Sequence, residues 1–562
     1  MNKQIRQNIC RTVDQAVLEL KQQGKLVSKE VPAAGLEYPK NERFGDLSTN
    51  IAMRIAGAEH KPPEKVAEII AKALNDRIAA AGDDYEKVEI ARPGFINFYL
   101  SFSCVIKLLE AVLKEKEKYG QSDFGAGQRV DIEFVSANPT GPLTVGHGRQ
   151  AVIGDVLART MSFAGYEVTR EYYYNDAGNQ MRVLADSVRV RYLQLLDEKV
   201  ELPEDAYQGE YIIDIARKLR LEHGEALKEA DLKVFKKAAE SEIFEDIRST
   251  LDRMGIVFDV YFNEHTLYTT GKVWKVVEEL KQKELAYEKD GAVWFKAGLF
   301  GGGDDRVIVK SSGEPTYRLP DIAYHLEKLK RGFDLLIDIF GADHHATVPD
   351  VMAGVKALGY DTEKIKVLLH QFVTLTKDGK QLKMSTRKAT YVTLDELLDE
   401  LGKDSVRYFY NMRRMNSHLD FDLELAKKQS MDNPVYYVQY AHARICSIFK
   451  KYREKTGVKE IEFDHVKAET LRLLKEPEEI ALIKTLGKFP KLIEDVALTC
   501  ETHRINDYLY DVATQLQRYY TDHRVISDDS ALTHARLIMI RAVQIVLQNG
   551  LGLLGITAPE SM

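Results

Sequence analysis

Near residue 130 the chain begins to alternate apolar and polar positions, and soon afterwards the period lengthens. Val130-Asp131-Ile132-Glu133-Phe134-Val135 has period two and predicts a strand. From about His147, the residues Val152, Ile153, Val156 and Leu157 recur on one face, which predicts an amphipathic helix. Residues 168–174 read as the next strand, so the segment predicts a βαβ unit of a parallel sheet. Strand patterns return at 307–310, 335–340 and 367–376, where the sheet is expected to resume. The intervening stretch, about 176–300, is charged and mostly helical and reads as an insertion.

On the N-terminal side, residues 1–20 predict an amphipathic helix, and short strands at 88–90 and 95–100 flank the turn Arg92-Pro93-Gly94. A charged helix end at 114–120 and the Gly125-Ala126-Gly127 stretch suggest a boundary. From about Asp404 onward period 3.6 dominates, notably at 505–520 and 533–547, and predicts an all-α bundle. The expected fold is α/β. It has an N-terminal α+β domain at 1–118, a Rossmann-like parallel-sheet domain with its insertion at 119–403, and a helical domain at 404–562.

Composition narrows the class. Of 562 residues, 44% are hydrophobic and 29% charged, which is enough apolar material for several cores. The formal net charge of -7 argues against non-specific coating of nucleic acid but leaves room for local basic patches. Cys10, Cys104, Cys446 and Cys500 are too widely spaced for a Cys-rich site, so zinc is not expected and the thiols suit a reducing compartment. Residues 537–556 are interrupted by Arg541, Gln544, Gln548 and Asn549 and are expected to be too polar to span a bilayer. The expectation is a soluble cytoplasmic protein with no membrane partner.

Two segments carry candidate chemistry. Residues 136–147, Ser-Ala-Asn-Pro-Thr-Gly-Pro-Leu-Thr-Val-Gly-His, follow the first strand of the βαβ unit, where parallel sheets bind nucleotides. Small residues there let a ligand approach the backbone, and a helix N-terminus follows. Lys383-Met384-Ser385-Thr386-Arg387-Lys388 forms a cationic loop after the turn Asp378-Gly379. A neutral donor and a positive charge together suit a polyphosphate. Taken singly, His147 reads more readily as a helix cap or packed polar residue, and the lysines as a solvated turn.

Longer motifs then appear in order. They are Glu133-Phe134-Val135-Ser136-Ala137-Asn138-Pro139-Thr140-Gly141-Pro142-Leu143, Tyr174-Asn175-Asp176-Ala177-Gly178-Asn179-Gln180, Tyr317-Arg318-Leu319-Pro320-Asp321-Ile322-Ala323-Tyr324, Leu419-Asp420-Phe421-Asp422 and Asn433-Pro434-Val435-Tyr436-Tyr437-Val438-Gln439-Tyr440-Ala441-His442-Ala443-Arg444-Ile445. Over essentially its whole length the chain resembles the arginyl branch of the class I aminoacyl-tRNA synthetases. The resemblance implies that the helical domain binds the anticodon. It implies ATP and L-arginine as substrates, Mg²⁺ accompanying ATP with no protein cage for a metal, tRNA(Arg) as partner, and a monomer. Activation would be attack of the arginine carboxylate on the α-phosphate, with charge stabilisation as the protein's main task.

The same resemblance implies roles for individual residues. Pro139, Thr144, Gly146, His147, Gly341, Asp343, His344, Lys383, Met384 and Ser385 would meet ATP. His147, Lys383, Arg387 and Lys388 would act in catalysis. Tyr317, Asp321 and Glu264 would hold the guanidinium, and Glu133 and Asn138 the amino and carboxylate groups. For Asp321, a helix N-terminal charge after Pro320 is the plainer reading, and both can hold. Asn41, Phe44 and Asp46 would touch the corner of the tRNA, with Phe44 either stacked on a base or packed in a core. Tyr436, Tyr440, His442 and Arg444 would read the anticodon, while Tyr437 and Val438 pack inside.

The chain departs from the family pattern at Thr144, in place of the first signature histidine, and at Thr386, in place of the second signature lysine. Gly141 offers no substitute cation, which leaves Arg387 or Lys388 for that part. A glutamyl-type pocket would need cations where Glu264 and Asp321 stand, and a cysteinyl type would need zinc ligands. A small nucleotidylyltransferase would have no use for the flanking domains. A tRNA-binding paralogue without activity has only the two threonines in its favour.

Overall fold

A computed structural model describes residues 3–39, 41–81, 84–382, 392–463 and 468–562. The chain opens with α1 (Lys3–Gln22), which buries Ile5, Ile9, Val13, Val17 and Leu20 along one stripe. It continues through β1 (Leu47–Thr49), α2 (Ile51–Glu59), α3 (Pro63–Ala81), β2 (Tyr85–Ala91) and β3 (Phe95–Leu100). The strands form an antiparallel sheet in the order β1-β3-β2. Next, α4 (Phe102–Glu115) is capped by Ser101, whose hydroxyl accepts from the Cys104 N–H.

The expected βαβ unit follows as β4 (Arg129–Glu133), α5 (Val145–Phe163) and β5 (Glu167–Tyr174), with β4 and β5 parallel neighbours. Gly154 lets α5 lie close on the sheet, since a Cβ there would come within 2.2 Å of the Phe134 ring. Then come α6 (Gly178–Leu195), α7 (Glu210–His223) and α8 (Leu232–Arg253), which lead into β6 (Val260–Asn263). This strand pairs parallel with β5, so the stretch read as an insertion contains an edge strand of the main sheet.

Beyond it, α9 (His265–Thr269) and α10 (Lys272–Gln282) precede β7 (Ala286–Lys289), β8 (Ala292–Phe295) and β9 (Arg306–Val309). These three strands form a separate antiparallel sheet, so the strand expected at 307–310 does not rejoin the parallel one. α11 (Arg318–Lys330), β10 (Leu335–Gly341), α12 (Val348–Ala357) and β11 (Ile365–His370) complete the main sheet, whose order is β11-β10-β4-β5-β6. All of its pairings are parallel.

The single strand expected at 367–376 is two strands in two sheets. After β11 the chain swings away at Gln371, whose N–H donates to the Met415 carbonyl and whose own carbonyl takes the buried Arg149 guanidinium at 2.8 Å. β12 (Val373–Lys377) then pairs with β13 (Lys380–Gln381) and with a later strand. α13 (Leu394–Asn411) is broken at Gly402, whose φ of 75° and ψ of 159° are not helical, close to the boundary placed at 404. β14 (Leu419–Asp422) pairs with β12, so the C-terminal part is not wholly helical. Leu419 and Phe421 point inward and Asp420 and Asp422 outward, a period-two pattern inside a helical background.

After α14 (Leu423–Lys427) the bundle comprises α15 (Pro434–Thr456), α16 (Ala468–Leu471), α17 (Pro477–Leu486), α18 (Phe489–Thr499), α19 (His503–Asp522) and α20 (Ser530–Leu554). Contrary to the reading of residues 537–556 as too polar, α20 is long and apolar enough to cross a bilayer. However, 78% of its most apolar window is packed inside the protein, so that hydropathy serves the bundle core. The N-terminal unit leans on the same bundle. α4 packs on α17 and α20, and the Tyr119 hydroxyl donates to the Leu486 carbonyl at 3.1 Å.

Candidate active site

The carboxyl ends of β4, β5, β10 and β11 lie side by side, and the segments leaving β4 and β10 carry Asn138, Pro139, Thr144, Asp343 and His344. The loop after β4 is strained. Val135 and Ser136 have φ of 70° and 44°, a left-handed conformation costly for side chains with a Cβ. The Ser136 N–H donates to the Phe134 carbonyl at 3.0 Å and closes a three-residue turn with Val135 at its centre. The Ser136 hydroxyl donates to Glu133 Oε1 at 2.9 Å and accepts from the Tyr173 N–H at 3.2 Å. Asn138 Oδ1 accepts from the Asn175 N–H at 3.0 Å, which ties this loop to the one after β5. Pro139 is buried beneath, and the Tyr211 hydroxyl holds the Thr140 carbonyl at 2.8 Å.

On the nucleotide side, Thr144 caps α5 and shares a capping box with His147. His147 Nδ1 accepts from the Thr144 N–H at 3.1 Å, so the ring hydrogen sits on Nε2. Burial, reinforced by nearby His370, brings the His147 pKa down to about 4, and the ring is a neutral donor at physiological pH. Gly146 has only Thr144 Oγ1 near its empty Cβ position, at 3.7 Å, so internal packing does not demand a glycine there.

Across the strand ends, Gly341 pairs in register with His370, the last residue of β11. Sequence reasoning missed His370; its only signal was a histidine closing a strand, as at 340–345. Asp343 and His344 are exposed on a short turn, with the His344 ring stacked on Phe340 at 5.3 Å, and His345 is exposed as well. Lys383, Met384, Ser385, Thr386, Arg387 and Lys388 lie outside the described residues. The chain that follows them is nonetheless anchored at the first signature. Thr393 bridges to Thr144, and the Leu394 N–H donates to the Leu143 carbonyl at 2.8 Å.

On the other side of β4 the site is acidic. Asp321 sits in the first turn of α11, and burial together with Glu264 and Glu133 raises its pKa to about 7, against a smaller opposing effect of His325 and Lys328. Glu264 is buried, accepts from the Tyr173 hydroxyl at 2.6 Å, and is likewise shifted upward by burial. Tyr317 is 86% exposed at the start of α11 rather than enclosed with Asp321. Glu133, expected to meet the substrate's polar groups, is only 2% exposed and already taken by Ser136 and by Lys328, whose Nζ lies 2.7 Å from Oε2.

The residues expected at the tRNA divide in two. Asn41 and Phe44 are exposed, and the Phe44 N–H closes a turn on the Asn41 carbonyl. Asp46 instead accepts from the Leu100 N–H and from Lys484 Nζ, both at 2.8 Å, and joins the N-terminal unit to α17. Tyr436 and Tyr440 stack at 6.2 Å on α15, half-buried, and Arg444 lies over the Tyr440 and Tyr520 rings. His442 is a correction. It is 3% exposed and its Nδ1–H donates to the Pro559 carbonyl at 2.8 Å, so it faces the bundle interior. Tyr437, expected inside, is half-buried against Tyr510, whereas Val438 is fully buried.

Comparison with known proteins matches nearly the whole chain to three family models. Residues 3–100 match the arginyl tRNA synthetase N terminal domain, 108–445 the catalytic domain of class I (R) tRNA synthetases, and 438–562 the DALR anticodon binding domain. The arginine–tRNA ligase of Desulfotalea psychrophila is 55% identical over 528 residues, 94% of each chain. That of Salinibacter ruber is 47% identical over 544 residues, 94% of this chain and 95% of its own. The solved arginyl-tRNA synthetase of Thermus thermophilus, 22% identical, shares the fold with a TM-score of 0.74 over 99% of this chain and 100% of its own. The chain belongs to the class I arginyl-tRNA synthetases.

Proposed function

We propose that this protein activates L-arginine with ATP to arginyl-adenylate and pyrophosphate, then transfers arginine to the 3'-terminal ribose of tRNA(Arg), releasing AMP. The observation that carries this reading is that two carboxyls shifted upward by burial, Asp321 on α11 and Glu264 after β6, accompany a neutral histidine at the N-terminus of α5. Two poorly solvated carboxyls suit a guanidinium, which supplies the charge they lack. Tyr317 closes over that guanidinium, and Asn138 orients the α-amino and carboxylate groups.

The arginine carboxylate attacks the α-phosphate in line. His147 donates from Nε2 to phosphate oxygens, and the N-terminus of α5 favours the growing negative charge. Pro139, Thr144 and Gly146 shape the approach, while Gly341, Asp343 and His344 border the nucleoside. Lys383, with Arg387 or Lys388, carries the positive charge for the leaving pyrophosphate. Mg²⁺ enters chelated by ATP, because the described side chains at this edge are imidazoles and the lone Asp343 carboxylate, not a cage. Asn41 and Phe44 touch the tRNA corner, and Tyr436, Tyr440 and Arg444 the anticodon. The working units are 1–118, 119–403 and 404–562, in a cytoplasmic monomer.

ATP–pyrophosphate exchange with each amino acid, with and without tRNA(Arg), tests the reading. Arginine alone should support exchange, and only with tRNA present. Exchange driven by another amino acid would overturn the substrate; exchange without tRNA would overturn only the coupling.

A further inference from the structure

Beneath the amino-acid side lies a charged cluster that no step above uses. Lys328 is 0% exposed on α11, seven residues and about two turns beyond Asp321. Its ammonium donates to Glu133 on β4 at 2.7 Å and to Asp338 on β10, and lies 3.9 Å from Asp131 on β4. Between Lys328 and Asp321 on the helix stands His325. Its Nδ1 faces the Asp321 carbonyl at 2.7 Å and its Nε2 faces Asp338 Oδ2 at 3.0 Å. Both partners are acceptors, so both ring nitrogens carry hydrogen and the ring is an imidazolium.

Stability does not account for such a cluster. Taking several ions out of water costs about as much as their mutual attraction returns, and packed apolar residues would serve as well. Its placement is more telling. Lys328 touches two of the four strands whose carboxyl ends carry the site, β4 and β10, and it rides on the helix that presents Asp321. The Glu133 oxygens are divided between Lys328 and Ser136, which fixes the carboxylate and, through Ser136, the strained loop and Tyr173. Tyr173 in turn holds Glu264.

We propose that Lys328 is a positioning residue for arginine: its buried ammonium locks Glu133, Asp338 and helix α11 into the one arrangement in which Asp321 and Glu264 converge. The proposal rests on the reading of those two carboxyls as guanidinium acceptors. The ionisable groups of the cluster are Asp131 and Glu133 from β4, Glu171 from β5, Asp338 from β10, Asp321, Tyr324, His325 and Lys328 from α11, and Arg331 just after it. Burial already pushes Glu133 upward, and Lys328 is the largest influence opposing that rise.

The test is arginine-dependent ATP–pyrophosphate exchange by the full chain with tRNA(Arg), comparing Lys328→Met, Asp338→Asn and Asp321→Ala. Lys328→Met should raise the arginine KM by about tenfold or more and leave the ATP KM within about twofold. Its kcat/KM for arginine should also need a higher pH, by about one unit, because Glu133 has lost its cation. Asp338→Asn should raise the arginine KM by about threefold, and it decides the matter alone if Lys328→Met does not fold. A folded variant whose arginine and ATP KM move together, or whose arginine KM stays put while Asp321→Ala raises it, overturns the Lys328 proposal alone. An unchanged arginine KM in Asp321→Ala sinks the pocket reading and this proposal with it.

Discussion

Asp321 stands in the first turn of α11 and His147 in the first turn of α5, and burial drives both toward neutrality from opposite directions. Asp321 is pushed up to about 7 and His147 down to about 4. The surroundings differ. The amino-acid side keeps its own cations one layer down, in Lys328, His325 and Arg331, and leaves the top of the pocket short of positive charge. The side proposed for the nucleotide has two imidazoles, both shifted downward by burial, and the cations proposed for it belong to residues 383–388. One half therefore gains charge when its ligand binds, whereas the other donates hydrogen bonds without changing charge.

The largest test of this contrast is to remove one partner from each half. Asp321→Ala should cost about 2–5 kcal/mol of arginine binding, read as an arginine KM raised by about a hundredfold with little change for ATP. His147→Ala should lower kcat by about 10²–10³ and leave the arginine KM near its original value. If both variants raised the arginine KM equally, the two halves would not be separable.

The next test is pH. A guanidinium beside Asp321 favours its ionised form, so arginine binding below about pH 7 should expel a proton. Arginine affinity should rise by up to about tenfold per pH unit toward that value and then level off. The sign is opposite for the stability of the protein without arginine. With its folded pKa raised, Asp321 contributes stability that is complete below the usual aspartate range and is lost as pH climbs through about 7. The thermal shift produced by arginine should therefore grow across the same window. His147 titrates near 4, so ATP binding should show no step from this ring above about pH 5. Calorimetry in buffers of different ionisation enthalpy reads the proton directly.

What was legible in the sequence was whatever local periodicity decides. The βαβ unit announced itself because period two gives way to period 3.6 across a Gly- and Pro-rich loop. β6 did not, because four residues set between helices carry too little pattern, and the same holds for β14. The run after residue 365 looked like one strand because it contains no breaker. The break at Gln371 is imposed by Arg149, 222 positions away in sequence. Distance also explains the misplaced contacts. Asp46 pairs with Lys484 across 438 positions and His442 with Pro559 across 117, partners that no local reading supplies. Lys328 lies in the sequence His-Leu-Glu-Lys-Leu-Lys, which gives no sign that this lysine, unlike Lys330, is wholly enclosed.

The smallest expected effect concerns the segment that joins the two halves. Ser136 lies between Glu133, on the amino-acid side, and His147, and it combines a useful hydroxyl with a left-handed backbone at φ 44°. The two contributions can be separated. Ser136→Ala removes the hydroxyl and keeps the strain; Ser136→Gly removes both. Each should lower kcat/KM by about fivefold, since each loses the bridge between Glu133 and Tyr173, worth about 1 kcal/mol. Their stabilities should differ, with Ser136→Gly about 1 kcal/mol more stable than Ser136→Ala because glycine tolerates positive φ. Equal melting temperatures would mean that the left-handed turn stores no strain. A loss confined to the arginine KM would mean that the loop serves one half alone, whereas a loss shared between arginine and ATP is what a common support predicts.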